Sequence, residues 1–204
     1  MNLSAKKHGK WNDHYSRRAK KELFPARSVY KLQEIQKKYN LIKKGDRVLD
    51  LGCSPGSWLL YAAKLAGNRG SVAGIDLKPV TIKVPPNVAI YTGDIFSFDS
   101  LSEATGKKFN VVISDLAPST TGIKNVDSAR SFNLCRAALE IAQKILLPGG
   151  SFACKIFQGE DFKQFSDSVK ESFAKCTIFK PKSSRKASKE IYIIAKGLRK
   201  IIAL

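Results

Sequence analysis

Arg47-Val48-Leu49-Asp50-Leu51-Gly52-Cys53-Ser54-Pro55-Gly56-Ser57-Trp58 is a short apolar run that meets an acid and breaks into a glycine-punctuated turn. Arg47–Leu51 has the pattern of a buried strand, and residues 57–67 beyond the turn have that of a helix. Glycines let a backbone turn tightly and come close to a ligand. The spacing is not G-x-G-x-x-G, nor a P-loop closing on Lys-Ser/Thr. A pyrophosphate loop favours anions, whereas here Asp50 stands beside the turn. The stretch therefore suits a nucleotide-like ligand with a cationic end.

Outward from this turn the same alternation repeats. Ser71–Ile75, Val88–Tyr91, Asn110–Ser114 and Ser151–Ile156 read as strands, and Cys176–Phe179 and Ile191–Ala195 as strand-like segments. A helix is expected over Ser28–Tyr39, with Val29, Leu32, Ile35 and Tyr39 on one face. A long helix capped by Asp127 carries Phe132, Leu134, Leu139, Ile141, Ala142 and Ile145, and Pro148-Gly149-Gly150 stops it. Residues 159–173 read as a further helix. Apolar strands alternating with helices define a doubly wound α/β fold with a mainly parallel sheet. In such folds ligands bind beyond the carboxyl ends of the strands.

The chain has 204 residues and a net charge of +19. Residues 1–44 hold 13 basic and 3 acidic residues, 45–154 hold 11 and 9, and 155–204 hold 12 and 5. A nearly neutral middle between two basic ends predicts a cationic face that attracts a nucleic-acid backbone. Solubility alone needs a net charge of only ~2–8. The expected organisation is a basic arm over 1–25 and one domain over 26–204. In the arm, Trp11, Tyr15 and Phe24 interleave with Arg17, Arg18, Lys20 and Lys21, so they either stack on bases or dock the arm on the body. No apolar run approaches the ~20 residues of a membrane span, and a cytoplasmic protein is expected. Cys53, Cys135, Cys154 and Cys176 form no C-x-x-C pair, and His8 and His14 lie far from them, which argues against a zinc site.

Acids recur at the strand ends. Asp76 ends the second strand, where a carboxylate accepts hydrogen bonds from ribose hydroxyls. Gly93-Asp94 follows the third, within reach of an adenine amino group. The alternative for each acid is a helix cap or a surface charge. S-adenosylmethionine fits the set, having adenine, ribose, a sulfonium and an amino acid end but no phosphate. The pattern resembles the class I methyltransferase nucleotide site. The fourth strand ends in Ser114-Asp115-Leu116-Ala117-Pro118 and the fifth in Lys155-Ile156-Phe157-Gln158-Gly159. A lysine ending an apolar strand is expected to be partly buried, which costs its charged form; a surface salt bridge is the alternative.

These motifs, with Ser28-Val29-Tyr30-Lys31-Leu32 and the run from Lys180-Pro181-Lys182-Ser183-Ser184-Arg185 to Ser188-Lys189-Glu190-Ile191-Tyr192, resemble those of the FtsJ/RrmJ family of ribose 2′-O-methyltransferases. The resemblance runs from about residue 9 to 198. It implies a seven-stranded class I S-adenosylmethionine-dependent (Rossmann-like) fold and a catalytic set of Lys31, Asp115, Lys155 and Glu190. It implies cofactor contacts at Gly56, Trp58, Asp76, Asp94 and Asp115. It also implies a monomer acting on a uridine in the A-loop of large-subunit ribosomal RNA, within the assembled subunit. Lys155 is expected to be the general base, with Lys31 holding the target hydroxyl and the two carboxylates orienting the lysines. Two positions depart from the family: Ser57 replaces the second glycine of Pro-Gly-Gly-Trp, and Ser119 an asparagine. A tRNA ribose methyltransferase, a non-catalytic RNA-binding ribosome assembly factor and a small-molecule methyltransferase are the rival readings.

Overall fold

Seven strands form one sheet in the order β3-β2-β1-β4-β5-β7-β6 in a computed structural model that describes residues 14–97, 108–185 and 187–199. They are β1 (Arg47–Leu51), β2 (Ser71–Asp76), β3 (Val88–Thr92), β4 (Phe109–Ser114), β5 (Leu146–Phe157), β6 (Phe173–Phe179) and β7 (Glu190–Leu198). β1 to β5 pair in parallel, and β7 lies antiparallel between β5 and β6. The described helices are α1 (His14–Lys21), α2 (Val29–Tyr39), α3 (Ser57–Ala66), α4 (Lys124–Ile145) and α5 (Phe162–Ser172). Among the described residues no helix is long and apolar enough to cross a membrane.

Alternation along the strands supplies two cores. Leu49 and Leu51 of β1, Cys154 and Ile156 of β5 and Ile191 and Ile193 of β7 pack against α4 and α5. Val48, Ala153, Tyr192 and Ile194 face the other way, with Trp58 and Leu59 of α3 and Leu32 and Ile35 of α2. A sheet covered on both sides needs strands apolar on both faces, as these are. From β1 the chain winds outward to β3, then returns to place β4 on the other flank of β1. The crevice beyond the carboxyl ends of β1 and β4 is the switch point where such sheets bind ligands.

Several boundaries differ from the sequence expectation. α4 starts at Lys124, before Asp127, which is not its cap. The Asp127 carboxylate instead accepts bonds from Thr121 N (2.7 Å), Thr121 Oγ1 (2.9 Å) and Gly122 N (3.1 Å), tying the entering loop to the helix. Pro148-Gly149-Gly150 does not stand outside the sheet: β5 begins at Leu146, paired with Phe109, and the register shifts before Val111 meets Ser151. β6 and β7 are also longer than expected, because they extend each other's ladder from Phe173–Leu198 to Phe179–Tyr192. In the arm, Ala19 is buried against Val29 and Tyr30, with Tyr15 and Phe24 packed on them. Docking on the body is therefore what these two aromatics do, while Trp11 lies outside the described residues.

Candidate active site

The turn after β1 is built by two glycines in the left-handed region, Gly52 (φ 79°) and Gly56 (φ 109°). A Cβ on Gly52 would stand 2.7 Å from Leu116 Cδ2, and one on Gly56 2.5 Å from Ile82 Cδ1, so both turns close tightly on neighbouring loops. Gly56 caps α3, whose first N–H groups, including that of Trp58, lack intrahelical partners. Ser57 takes a helical conformation, and its Oγ accepts from Ala26 N at 2.7 Å. The serine thus fits its glycine position and ties the arm to this loop.

A cavity of about 660 Å³ opens beyond β1, β2, β3 and β4, lined by Gly52, Ser54, Asp76, Asp94, Asp115, Leu116 and Pro118 among others. The acids from three strand ends therefore converge. Asp76 accepts from Ser54 N (2.9 Å) and Lys78 N (2.8 Å), and Asp94 from Phe96 N (3.0 Å), so each is held by backbone with lone pairs to spare. Gly56 and Trp58 do not line this cavity. Trp58 is buried, its indole N–H donating to Ser28 O at 2.8 Å and its ring stacked on Tyr192 at 5.8 Å. Its side chain packs the core, and only its backbone N–H remains to face a ligand. Asp50 is 0% exposed, and neither carboxylate oxygen has a hydrogen-bond partner among the described residues. Burial, then Asp115 and Asp76, push its carboxyl well above the usual carboxylate range. Asp50 is thus a buried acid that does not line the cavity.

The four expected catalytic residues form two ion pairs. Lys155 Nζ lies 3.0 Å from Asp115 Oδ1 and donates to Asp115 O at 2.6 Å. Lys31 Nζ lies 2.7 Å from Glu190 Oε1. The side chains of Lys155 and Asp115 are 7% and 15% exposed, so the surface salt bridge is excluded for this lysine. Burial raises the Asp115 carboxyl, but Lys155 and Lys31, with the Tyr192 hydroxyl, outweigh it and hold it below its ordinary value.

Sequence reasoning missed several supports. Tyr192 stands opposite Lys155 in the ladder, and its hydroxyl donates to Asp115 Oδ1 at 2.6 Å. Its spacing of two from Glu190 on a strand, which sets both on one face, was the available signal. Ser184 Oγ donates to Glu190 Oε1 at 2.8 Å. A second cavity of about 280 Å³ joins Lys31 and Glu190 to Arg27, Ser28, Arg185 and Ser188. Arg27 lies in the turn just before α2 and lines the same cavity as Lys31.

A sheet of this order with carboxylates at three strand ends is that of a class I S-adenosylmethionine-dependent methyltransferase, and the lining suits that cofactor: three acids and one lysine side chain make a poor phosphate site. The FtsJ-like methyltransferase model matches residues 24–198, and the chain belongs to that family. It is 58% identical over 192 residues to the ribosomal RNA large subunit methyltransferase E of Desulforapulum autotrophicum, covering 94% of this chain and 95% of the relative. It is 51% identical over 195 residues to that of Desulfatibacillum aliphaticivorans, covering 94% of each. A ribosomal RNA methyltransferase structure from Plasmodium falciparum superposes with a TM-score of 0.76 at 28% identity, over 86% of this chain and 98% of that one. Fibrillarin of Aeropyrum pernix, solved with S-adenosyl-L-methionine, shares the fold with a TM-score of 0.58 at 17% identity, over 76% of this chain and 68% of that one.

Proposed function

We propose that this enzyme methylates the ribose 2′-hydroxyl of a uridine in the A-loop of large-subunit ribosomal RNA, acting as a cytoplasmic monomer on the assembled subunit. The observation that carries the reading is the pairing of Lys155 with Asp115 and Lys31 with Glu190 beside a cofactor-sized cavity. Asp76 and Asp94 are the residues for the cofactor's ribose and adenine. The N-terminal N–H groups of α3, that of Trp58 included, suit its carboxylate, and Asp115 suits its ammonium. When bound, S-adenosylmethionine supplies a methyl group already activated by the sulfonium.

The protein's task is then to place a weak nucleophile and relieve it of a proton. Lys155 is the base. Its two contacts, both on Asp115, fix where Nζ stands to take the hydroxyl proton. Lys31, fixed by Glu190, donates to the hydroxyl oxygen and holds it in line. Arg27 and Arg185 beside Lys31 suit the phosphates of the target nucleotide.

The test is methyl transfer from labelled cofactor to large subunits that lack the modification, with the product mapped for 2′-O-methyl groups. Lys155→Ala is expected to lower turnover by roughly 10²–10⁴, the usual weight of a general base, while cofactor affinity by calorimetry stays within a fewfold. Near-normal turnover by that variant, or a methyl group found on a base, refutes the reading.

A further inference from the structure

Beside the methyl-transfer cavity runs a larger groove that the chemistry above does not use. Its volume is about 760 Å³, and α1, α2, the end of β6 and Lys182 bound it. Tyr15 and Phe179 contribute half-buried aromatic surface, and Arg18, Lys37, Lys38 and Lys182 contribute cations. The Lys38 ammonium sits 4.9 Å from the centre of the Phe179 ring, held over the aromatic floor.

The balance of charge is one-sided. Glu34 is the acid that lines the groove, and its two oxygens are engaged by Lys182 N (2.7 Å) and Ser183 N (2.8 Å). Arg18 is matched by Glu22 at 2.7 Å. Lys37, Lys38 and Lys182 make no ion pair among the described residues. Three unmatched cations over an aromatic floor suit a phosphodiester strand with unstacked bases.

The groove and the cavity around Lys31 also share their walls. α2 gives Lys31 to one and Lys37 and Lys38 to the other. The 180–185 segment gives Arg185 to one and Lys182 to the other. That segment is clamped in place: Glu34 holds its N–H groups, and the Arg27 guanidinium donates to Ser183 O.

We infer that this groove is a second RNA-binding site, which holds the strand flanking the nucleotide being methylated. The inference rests on the RNA reading above and extends it to a surface outside the catalytic cavity. It makes Lys37, Lys38 and Lys182 phosphate contacts that set RNA affinity without touching the reacting atoms.

The experiment compares the wild-type chain with Lys37→Gln, Lys38→Gln and Lys182→Gln combined. Two probes are used, protein-free large-subunit RNA and assembled large subunits, each over a series of salt concentrations. Neutralising three phosphate contacts is expected to reduce the slope of log affinity against log salt by roughly 2 on both probes, with affinity near 0.1 M salt falling roughly 100-fold. Cofactor affinity and melting temperature should not move; if they do, the three single variants are read in the same way, each with a slope change of about 0.7. Unchanged slopes overturn the inference. So does weakening confined to assembled subunits, which makes the occupant a ribosomal protein. Absence of ribose methylation by the wild-type chain overturns the RNA methyltransferase reading itself, a result the salt series does not produce.

Discussion

Replacing Asp50 by asparagine should make the protein more stable at neutral pH, by an amount that grows with pH. Asp50 sits in β1 between β2 and β4, fully buried, without a hydrogen-bond partner among the described residues. Burial first, and then Asp115 and Asp76, push its carboxyl well up, so the folded protein keeps it protonated where the unfolded chain ionises it. A group whose folded pKa is raised contributes stability below its unfolded value, near pH 3.9, and loses it as pH rises towards the folded value. Within that window the slope is about −1.4 kcal/mol per pH unit. As pH rises above the ordinary carboxylate range the wild-type chain should therefore lose stability through this residue until the folded carboxyl ionises. Asparagine has nearly the same shape and does not titrate. Asp115, Asp127 and Asp167, whose carboxyls are held low, are ionised in both states across this range and cancel between the two proteins. Urea unfolding of both chains at pH 5, 6 and 7 measures the difference directly. The stability gap in favour of Asp50→Asn should widen as pH rises, by at most about 1.4 kcal/mol per unit, which is at most roughly 3–6 °C in melting temperature for a domain of this size. A gap that stays constant with pH shows that Asp50 is ionised in the fold and refutes the assignment.

Two further substitutions probe the supports of the site. Tyr192→Phe removes the hydroxyl that donates to Asp115 Oδ1 at 2.6 Å, a bond to a charged acceptor worth about 1.5–3 kcal/mol. Because the hydroxyl helps hold the Asp115 carboxyl low, the acid limb of the rate–pH profile should move to higher pH; an unmoved limb in stopped-time methylation assays counts against the coupling. Gly56→Ala forces a side chain into φ 109° against Ile82 Cδ1, a strain of about 1–3 kcal/mol. It should lower the melting temperature by several degrees and weaken cofactor binding measured by calorimetry, and a variant with wild-type cofactor affinity shows that the turn can yield.

The sheet was legible because its strands are apolar on both faces and each parallel strand runs into a loop with its own acid. Asp76 and Asp94 could be nominated for that reason alone, whereas Asp115 joined the cofactor set through the family motif. Glu190 and Lys31 were not legible from spacing, since they lie 159 residues apart in the chain and meet only when β7 folds back beside β5. Asp50 was misread for a physical reason: sequence shows an acid beside a turn but not that β2, β4 and the packed helices exclude water from it. Trp58 was assigned to the cofactor through the family motif, while its indole belongs to the core against Ser28 and Tyr192. Asp127 looked like a helix cap because caps and loop anchors use the same residue types, and only the direction of its hydrogen bonds separates them.

The antiparallel strand is what makes the proposed catalytic group one unit. β7 carries Glu190 and Tyr192 two residues apart, so both point to the face that Lys155 occupies in the neighbouring strand. Glu190 fixes Lys31 from α2, and Tyr192 fixes Asp115 from β4, which in turn holds Lys155 of β5. Three strands and a helix thereby meet through four polar contacts around a single strand end. A parallel strand in that place would carry its first residues to the opposite edge of the sheet, away from the cofactor crevice. Inserting β7 in reverse between β5 and β6 starts it at the carboxyl end of β5, where the 180–185 segment can deliver Glu190 beside Lys31. The same segment, held by Glu34 of α2 and by Arg27 just before it, fixes Glu190 and hence Lys31 relative to Lys155, the proposed base. A loosened clamp should thus cost turnover more than cofactor affinity, because the acids proposed for the cofactor stand at the ends of β2, β3 and β4 and do not depend on it.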